Sequence, residues 1–249
     1  MFEIIPNKRL SNPGNKMTCD NEFHDSLCDP LPNTSFCMYI VGRPGSGKTS
    51  LLVNLLTNKP IKGKKCSYKK LFDHIIVCSP SIKTLGNNIF KNLPSEQTSE
   101  DFNLDFLKFI DDFTENVDPK EEKTLIILDD VASQLKRSMP CEKLLTKLQQ
   151  NRRHRGLSFI ILSQQYKSLP LSCRSCITHL IIFRPVNLKE FSGPAEELIP
   201  IHKKKLVEFM EFIFDKKYNF LLIDMSLQKS AKYRYFKNFD QVLISEETV

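Results

Sequence analysis

No apolar run in the 249 residues approaches the roughly 20 needed to cross a bilayer, so the sequence predicts no membrane-spanning helix. The opening residues, MFEIIPNKRLSNPGNK, hold no long apolar stretch and no small-residue cleavage site, so no signal peptide is expected. A chain kept in a reducing compartment leaves its eight cysteines as free thiols. The spacing Cys173-x-x-Cys176-x-x-His179 lacks a partner pair at zinc-ribbon distance and runs straight into an apolar strand. It is read as structural rather than as a zinc site. There is no internal repeat and no long low-complexity segment.

What remains is an ordinary globular composition, 41% hydrophobic and 26% charged. The length suits one large domain, or a domain with a small appendage, and can bury a sizeable core. The net charge is +7 and unevenly spread. Six lysines fall within 59–70 without an acid, Arg152, Arg153, His154 and Arg155 adjoin, and Lys203 to Lys205 form a third cluster. Residues 96–122 carry ten acids against two lysines. A basic balance suits nucleic acid or another anionic partner, and it suits solvated loops equally well.

Residues 1–35, rich in Asn, Pro and Asp, predict an extended arm, and 36–249 the folded domain. Short apolar runs without alternation predict buried strands at 36–41, 74–79, 124–128, 157–162 and 177–183. Further strands are expected at 220–224 and 233–236. Helical spacing marks 50–56, 102–113, 142–153, 187–198 and 203–214. Buried strands separated by helices predict an α/β fold with a mostly parallel sheet, whose ligand sits at the strands' carboxyl ends.

Each chemical signal falls at such an end. Gly42-Arg43-Pro44-Gly45-Ser46-Gly47-Lys48-Thr49 follows the first strand and matches G-x-x-x-x-G-K-[ST] in full. Glycines let successive N–H groups turn toward a phosphate chain, and the next helix adds its positive end. Lys48 then reaches the β- and γ-phosphates, and the Thr49 hydroxyl holds Mg2+. The predicted contact set for ATP runs from Gly42 through Ser50.

Asp129 closes the run TLIIL, where an acid holds the magnesium shell. Asp130 is read as the base that takes a proton from attacking water; the alternative is a cap for the next helix. Gln164, or else Gln165, ends the following strand and can orient water or sense a γ-phosphate. Arg152, Arg153 and Arg155 precede that strand. An arginine can serve a neighbouring subunit's γ-phosphate, or it can simply stabilise a helix C-terminus.

The segments VGRPGSGKTSLL (41–52), LIILDDV (125–131) and NRRHRGLSFIILSQQYKSLP (151–170) together resemble the FtsK/HerA superfamily of DNA-pumping ATPases. Within it, they are most similar to the genome-packaging ATPases of poxviruses, other large double-stranded DNA viruses and virophages. The likeness covers roughly residues 36–185 and rests most on Arg153-His154, the strand after it, Gln164 and Pro170. It implies a RecA-like sheet with the glutamine strand between the loop strand and the acid strand. It also implies Lys48 and Thr49 at phosphate and Mg2+, Asp129 at Mg2+, Asp130 as base, Gln164 as sensor and an arginine supplied in trans. Arg153 is favoured for that arginine, with Arg152, Arg155 and Arg174 as alternatives.

Such relatives form rings, usually hexamers, around double-stranded DNA and work with capsid or portal-like vertex proteins, in the host cytoplasm, the virus factory or the virion. The superfamily more often has Glu as its second acid, where this chain has Asp130. A motor for DNA transfer or phage export is the nearest alternative, and a P-loop kinase of nucleotides or small molecules a more distant one.

Overall fold

Strands that are apolar on both sides need cover on both sides, and the chain supplies it. A computed structural model describes residues 30–33, 35–57, 68, 71–82, 89–226 and 233–243. Most of the expected arm, and all six lysines of 59–70, lie outside the described residues.

The elements in chain order are β1 (Cys37–Val41), α1 (Lys48–Thr57), β2 (His74–Cys78), β3 (Thr98–Ser99), α2 (Leu104–Glu115), β4 (Thr124–Asp129), α3 (Ala132–Arg137) and α4 (Met139–Gln150). There follow β5 (Leu157–Ser163), α5 (Leu171–Arg174), β6 (His179–Phe183), α6 (Leu188–Leu198), α7 (Leu206–Ile213), β7 (Phe220–Asp224), β8 (Tyr235–Lys237) and β9 (Asp240–Val242). The strands form one sheet of order β3-β2-β4-β5-β1-β6-β7-β8-β9. It is parallel from β3 to β6 and antiparallel from β6 onward. The glutamine strand β5 lies between the loop strand β1 and the acid strand β4, the order the resemblance implies.

Alternation along each strand sends its side chains into two separate cores. Cys37, Tyr39 and Val41 of β1, with Phe159 and Ile161 of β5, pack under α2, α4, α6 and α7. Met38 and Ile40, with Ile160 and Leu162, pack under Leu52, Leu55 and Leu56 of α1 and under Tyr68, Phe72 and Phe90. Because β5 is buried at all seven positions, it forms the spine of both cores.

The short elements escaped the sequence pattern. β3 and β9 have two and three residues, too few to show a period, and α3 has only six. α4 begins at Met139 rather than 142, because Ser138 accepts from the Cys141 N–H and Pro140 suits the first turn. It ends at Gln150, so Arg152 to Arg155 belong to a turn closed by Gly156 at φ +61°. The last basic cluster is a 3-10 turn that leads into α7.

That turn fixes two of its arginines in the scaffold. Arg152 is buried and donates to the Ser35 and Gln149 carbonyls, at 2.8 Å each. Arg155 pairs with Asp111, and with Glu115 at 2.7 Å, so it bolts the turn onto α2. Burial raises the Asp111 pKa, but the bonds from Lys147 and Arg155 outweigh it and hold the carboxyl below its ordinary range. Arg155→Ala should therefore destabilise the fold by about 1.5–3 kcal/mol in urea unfolding, the range for hydrogen bonds to charged groups.

Candidate active site

The loop between β1 and α1 is shaped by what surrounds it. The Gly42 N–H donates to the Ser163 carbonyl at 3.0 Å, which stitches the loop's start to the end of β5. A Cβ on Gly42 would stand 2.5 Å from Ser46 Oγ and 2.8 Å from Phe183 Cβ, so no side chain fits there. Gly47 has φ +106°, a conformation open to glycine alone. Arg43 forms an ion pair with Glu190 of α6. That contact, helped by the Val186 N–H, holds the Glu190 carboxyl below its ordinary range. Pro44 and Gly45 form the exposed crest of the loop.

Lys48 opens α1 and is only 8% exposed. Its ammonium donates to the carbonyls of Gly42 at 2.6 Å and Arg43 at 3.3 Å. Burial lowers its pKa, while the charges of Asp130 and Asp129 push it back up. Both acids are therefore near enough to act on the lysine electrostatically. Thr49 and Ser50 follow in the first turn, where helix N–H groups have no carbonyl partner within the helix.

Asp129 is the last residue of β4 and accepts from Ser79 Oγ at 2.9 Å. Burial raises its pKa; Ser79 and Lys48 oppose that rise, and Asp130 adds to it. Asp130 turns the chain at φ +53°, a left-handed conformation that Asp tolerates better than most residues. Its carboxyl does not cap α3: the N-cap is Val131, with no side-chain cap bond. Instead Asp130 Oδ2 accepts from Gln164 Nε2 at 3.1 Å, across the β4–β5 junction. Gln165 is held through its carbonyl, which accepts from Tyr39 Oη at 2.9 Å. The glutamine that meets the acid pair is thus Gln164.

The arginines stand apart from this cluster. The phosphate loop lies at the carboxyl end of β1, and the Arg152–Arg155 turn precedes the amino end of the parallel neighbour β5. β5 alone spans about 23 Å. Arg153 is exposed on that far end. Arg174 donates to the Leu169 carbonyl at 2.8 Å, reaches Glu197 at 3.5 Å and lies 5.0 Å from the Tyr166 ring centroid.

The Cys173–His179 cluster goes into structure. The Cys173 thiol meets Thr146 Oγ1 at 3.4 Å, and His179 Nε2 faces Asp224 at 3.3 Å. Among the described residues, no group of three or more His, Cys, Asp and Glu is placed to hold a metal ion. Nor is any helix among them long and apolar enough to cross a membrane.

Three features were missed from the sequence. Ser79 was visible only as a strand end, and its bond to Asp129 needs the β2–β4 pairing. The Arg43–Glu190 pair spans 147 positions. The third is a cavity of about 620 Å3 beside Lys48 and Thr49, walled by Phe183, Tyr218 and Phe220. A volume of that size suits a nucleotide. The Thr49 hydroxyl and the Asp129 carboxylate are oxygen donors of the kind Mg2+ takes, and that ion needs only one or two protein ligands beside phosphate and water.

A family model described as Poxvirus A32 protein matches residues 24–248. The DNA packaging protein OPG160 of Variola virus is 31% identical over 172 residues, covering 67% of this chain and 59% of that protein. The Vaccinia virus (strain Copenhagen) protein of the same name is 32% identical over the same length. The chain thus spans 59% of the length of these curated relatives. In fold it is similar to the genome packaging NTPase B204 of Sulfolobus turreted icosahedral virus 2, solved with ATP-gammaS. There the TM-score is 0.53 at 15% identity, over 83% of this chain and 98% of the other. The pCW3 conjugation coupling protein TcpA matches with TM-score 0.52 at 13% identity, over 84% and 62%.

Proposed function

The chain belongs to the poxvirus A32 protein family, and on that footing we propose that it is an ATPase that drives double-stranded viral DNA into a capsid. One observation carries the chemistry. The order β4-β5-β1 gathers Lys48, the Asp129–Asp130 pair and Gln164 at one end of the sheet, with Gln164 bonded to Asp130. The relatives' name, DNA packaging protein, supports the cargo.

In this reading the loop N–H groups and Lys48 hold the β- and γ-phosphates of ATP. Thr49 and Asp129 hold Mg2+, whose charge, when it is bound, offsets that of the phosphate oxygens. Water attacks the γ-phosphorus: a P–O bond forms, the bond to ADP breaks, and the water proton passes to Asp130. Gln164 occupies Oδ2 of that carboxyl and leaves Oδ1 for the water. Asp is shorter than the Glu usual in the superfamily, and the Gln164 bond and left-handed turn set where it points. Arg153 serves the γ-phosphate of the next subunit in a ring, a hexamer by resemblance.

The ATPase domain comprises 36–249, with 1–35 as an arm. The lysines at 59–70 are a DNA contact on charge alone, capsid or portal-like vertex proteins are the partners, and the host cytoplasm, virus factory or virion is the setting.

The test is steady-state ATP hydrolysis with and without long double-stranded DNA. DNA should stimulate turnover, and the stimulation should fall steeply with salt as counterion release weakens binding. Asp130→Asn should keep ATP binding and lose turnover by about 10²–10⁴-fold, the worth of a positioned general base. Turnover that requires a small acceptor and ignores DNA would overturn the motor reading in favour of a kinase.

A further inference from the structure

The cavity beside the phosphate loop has two chemical halves. Lys48, Thr49 and Ser50 form a polar end, and Phe183, Tyr218 and Phe220 an aromatic one. A triphosphate accounts for the polar half alone. The aromatic half is built with care. The Phe183 and Phe220 rings pack at 5.4 Å, one on β6 and one paired with it on β7. Tyr218 is different, because it is 55% exposed and yet held.

Tyr218 sits at φ +71°, a conformation that a bulky aromatic residue rarely adopts. Its turn is pinned from two sides. Asn219 Nδ2 donates to Asp215 at 2.6 Å, and Asn219 Oδ1 accepts from Asn238 at 3.1 Å. The ring is thereby brought against the loop: a Cβ on Gly47 would lie 3.4 Å from both Phe183 and Tyr218. The Lys217 ammonium covers it at 4.8 Å from the centroid. Backbone strain kept in place by surrounding bonds marks positions where a side chain's placement matters. A rigid, solvent-facing aromatic ring beside a phosphate site presents a flat surface to a flat ligand.

We propose that Tyr218 is the base-stacking wall of the nucleotide site, with its ring over the purine of ATP and with Phe183 and Phe220 flooring the pocket. This rests on the ATPase reading above. The wall comes from the antiparallel end of the sheet and the phosphate cradle from the parallel part, so the nucleotide bridges β1, β6 and β7.

Calorimetric titration of ATP and of inorganic tripolyphosphate, both with Mg2+, tests it. Tyr218→Ala should weaken ATP by about 5- to 150-fold, the worth of one base on one aromatic ring, and leave tripolyphosphate unchanged. Tyr218→Phe should restore the affinity. Alanine adds no new backbone strain at this φ, so the loop should stay as it is. ATP bound equally by the native protein and Tyr218→Ala overturns the stacking alone, and so does an equal loss of both ligands. Native protein that binds neither ligand overturns the ATPase reading and this proposal with it.

Discussion

Lys48→Ala should lower ATP turnover by at least about 10²–10³-fold, the effect of removing one donor aimed at transition-state charge, and should scarcely move the melting temperature. The two halves of this result have one cause. Lys48 is a buried cation that the fold itself disfavours, since burial is the largest influence on its pKa and lowers it. Its own compensation is two loop carbonyls and two nearby acids. A buried ammonium held this way gains its full value only when phosphate oxygens arrive.

Truncation relieves the desolvation while losing two hydrogen bonds, and these changes offset in the ligand-free protein. The sign of the pH dependence follows. A lysine whose folded pKa is depressed costs stability while it is charged, and that cost fades as pH rises through its titration. The native protein should therefore gain on Lys48→Ala in alkaline melts. Differential scanning fluorimetry beside an ATPase assay reads both halves. A large drop in melting temperature would mean that the lysine holds the loop together rather than the phosphate.

Arg153→Ala should cost about 10³–10⁵ in turnover, the worth of an arginine finger, with ATP affinity little changed. In the proposed role it acts on the neighbour, so mixing should rescue it. Rings of Arg153→Ala and Lys48→Ala subunits contain interfaces where an intact loop meets an intact arginine, and these should recover part of the activity. Arg153 is the candidate that the family resemblance favours, and it is exposed. Arg152 bonds to the Ser35 and Gln149 carbonyls, Arg155 to Asp111 and Glu115, and Arg174 to Leu169, Glu197 and the Tyr166 ring. Arg155→Ala should then lower stability and Arg153→Ala should lower turnover, which separates the two by different measurements. Rings that form from the mixture without any recovery would remove Arg153 from the site.

The sequence carried this site wherever chemistry and chain order coincide. Gly42 to Thr49 and Asp129–Asp130 are contiguous, and each ends a run that must be buried on both faces. The same two-sided burial made the sheet legible as parallel. Gln164 was favoured with Gln165 as the alternative, because separating the two by residue pattern alone requires knowing which side chain crosses to β4. Ser79, Glu190 and Tyr218 meet the site across strands, from a distant helix or from a distant loop, and no local period encodes such a neighbour. The arginine cluster could not be sorted by charge. Burial, the α2 acid Glu115 40 residues upstream and the early end of α4 at Gln150 show what Arg152 and Arg155 bond to.

β5 has one more property, which is mechanical. It is buried along its whole length and hydrogen bonded on both sides, so it resists both stretching and bending. One of its ends leads to Gln164, which bonds to Asp130, and the other leads back to Arg153 in the outer turn. Under the roles proposed here, β5 works as a push-rod: a shift of Gln164 on loss of the γ-phosphate moves the arginine that the next subunit depends on. Such a linkage would make neighbours fire in sequence around the ring rather than at random.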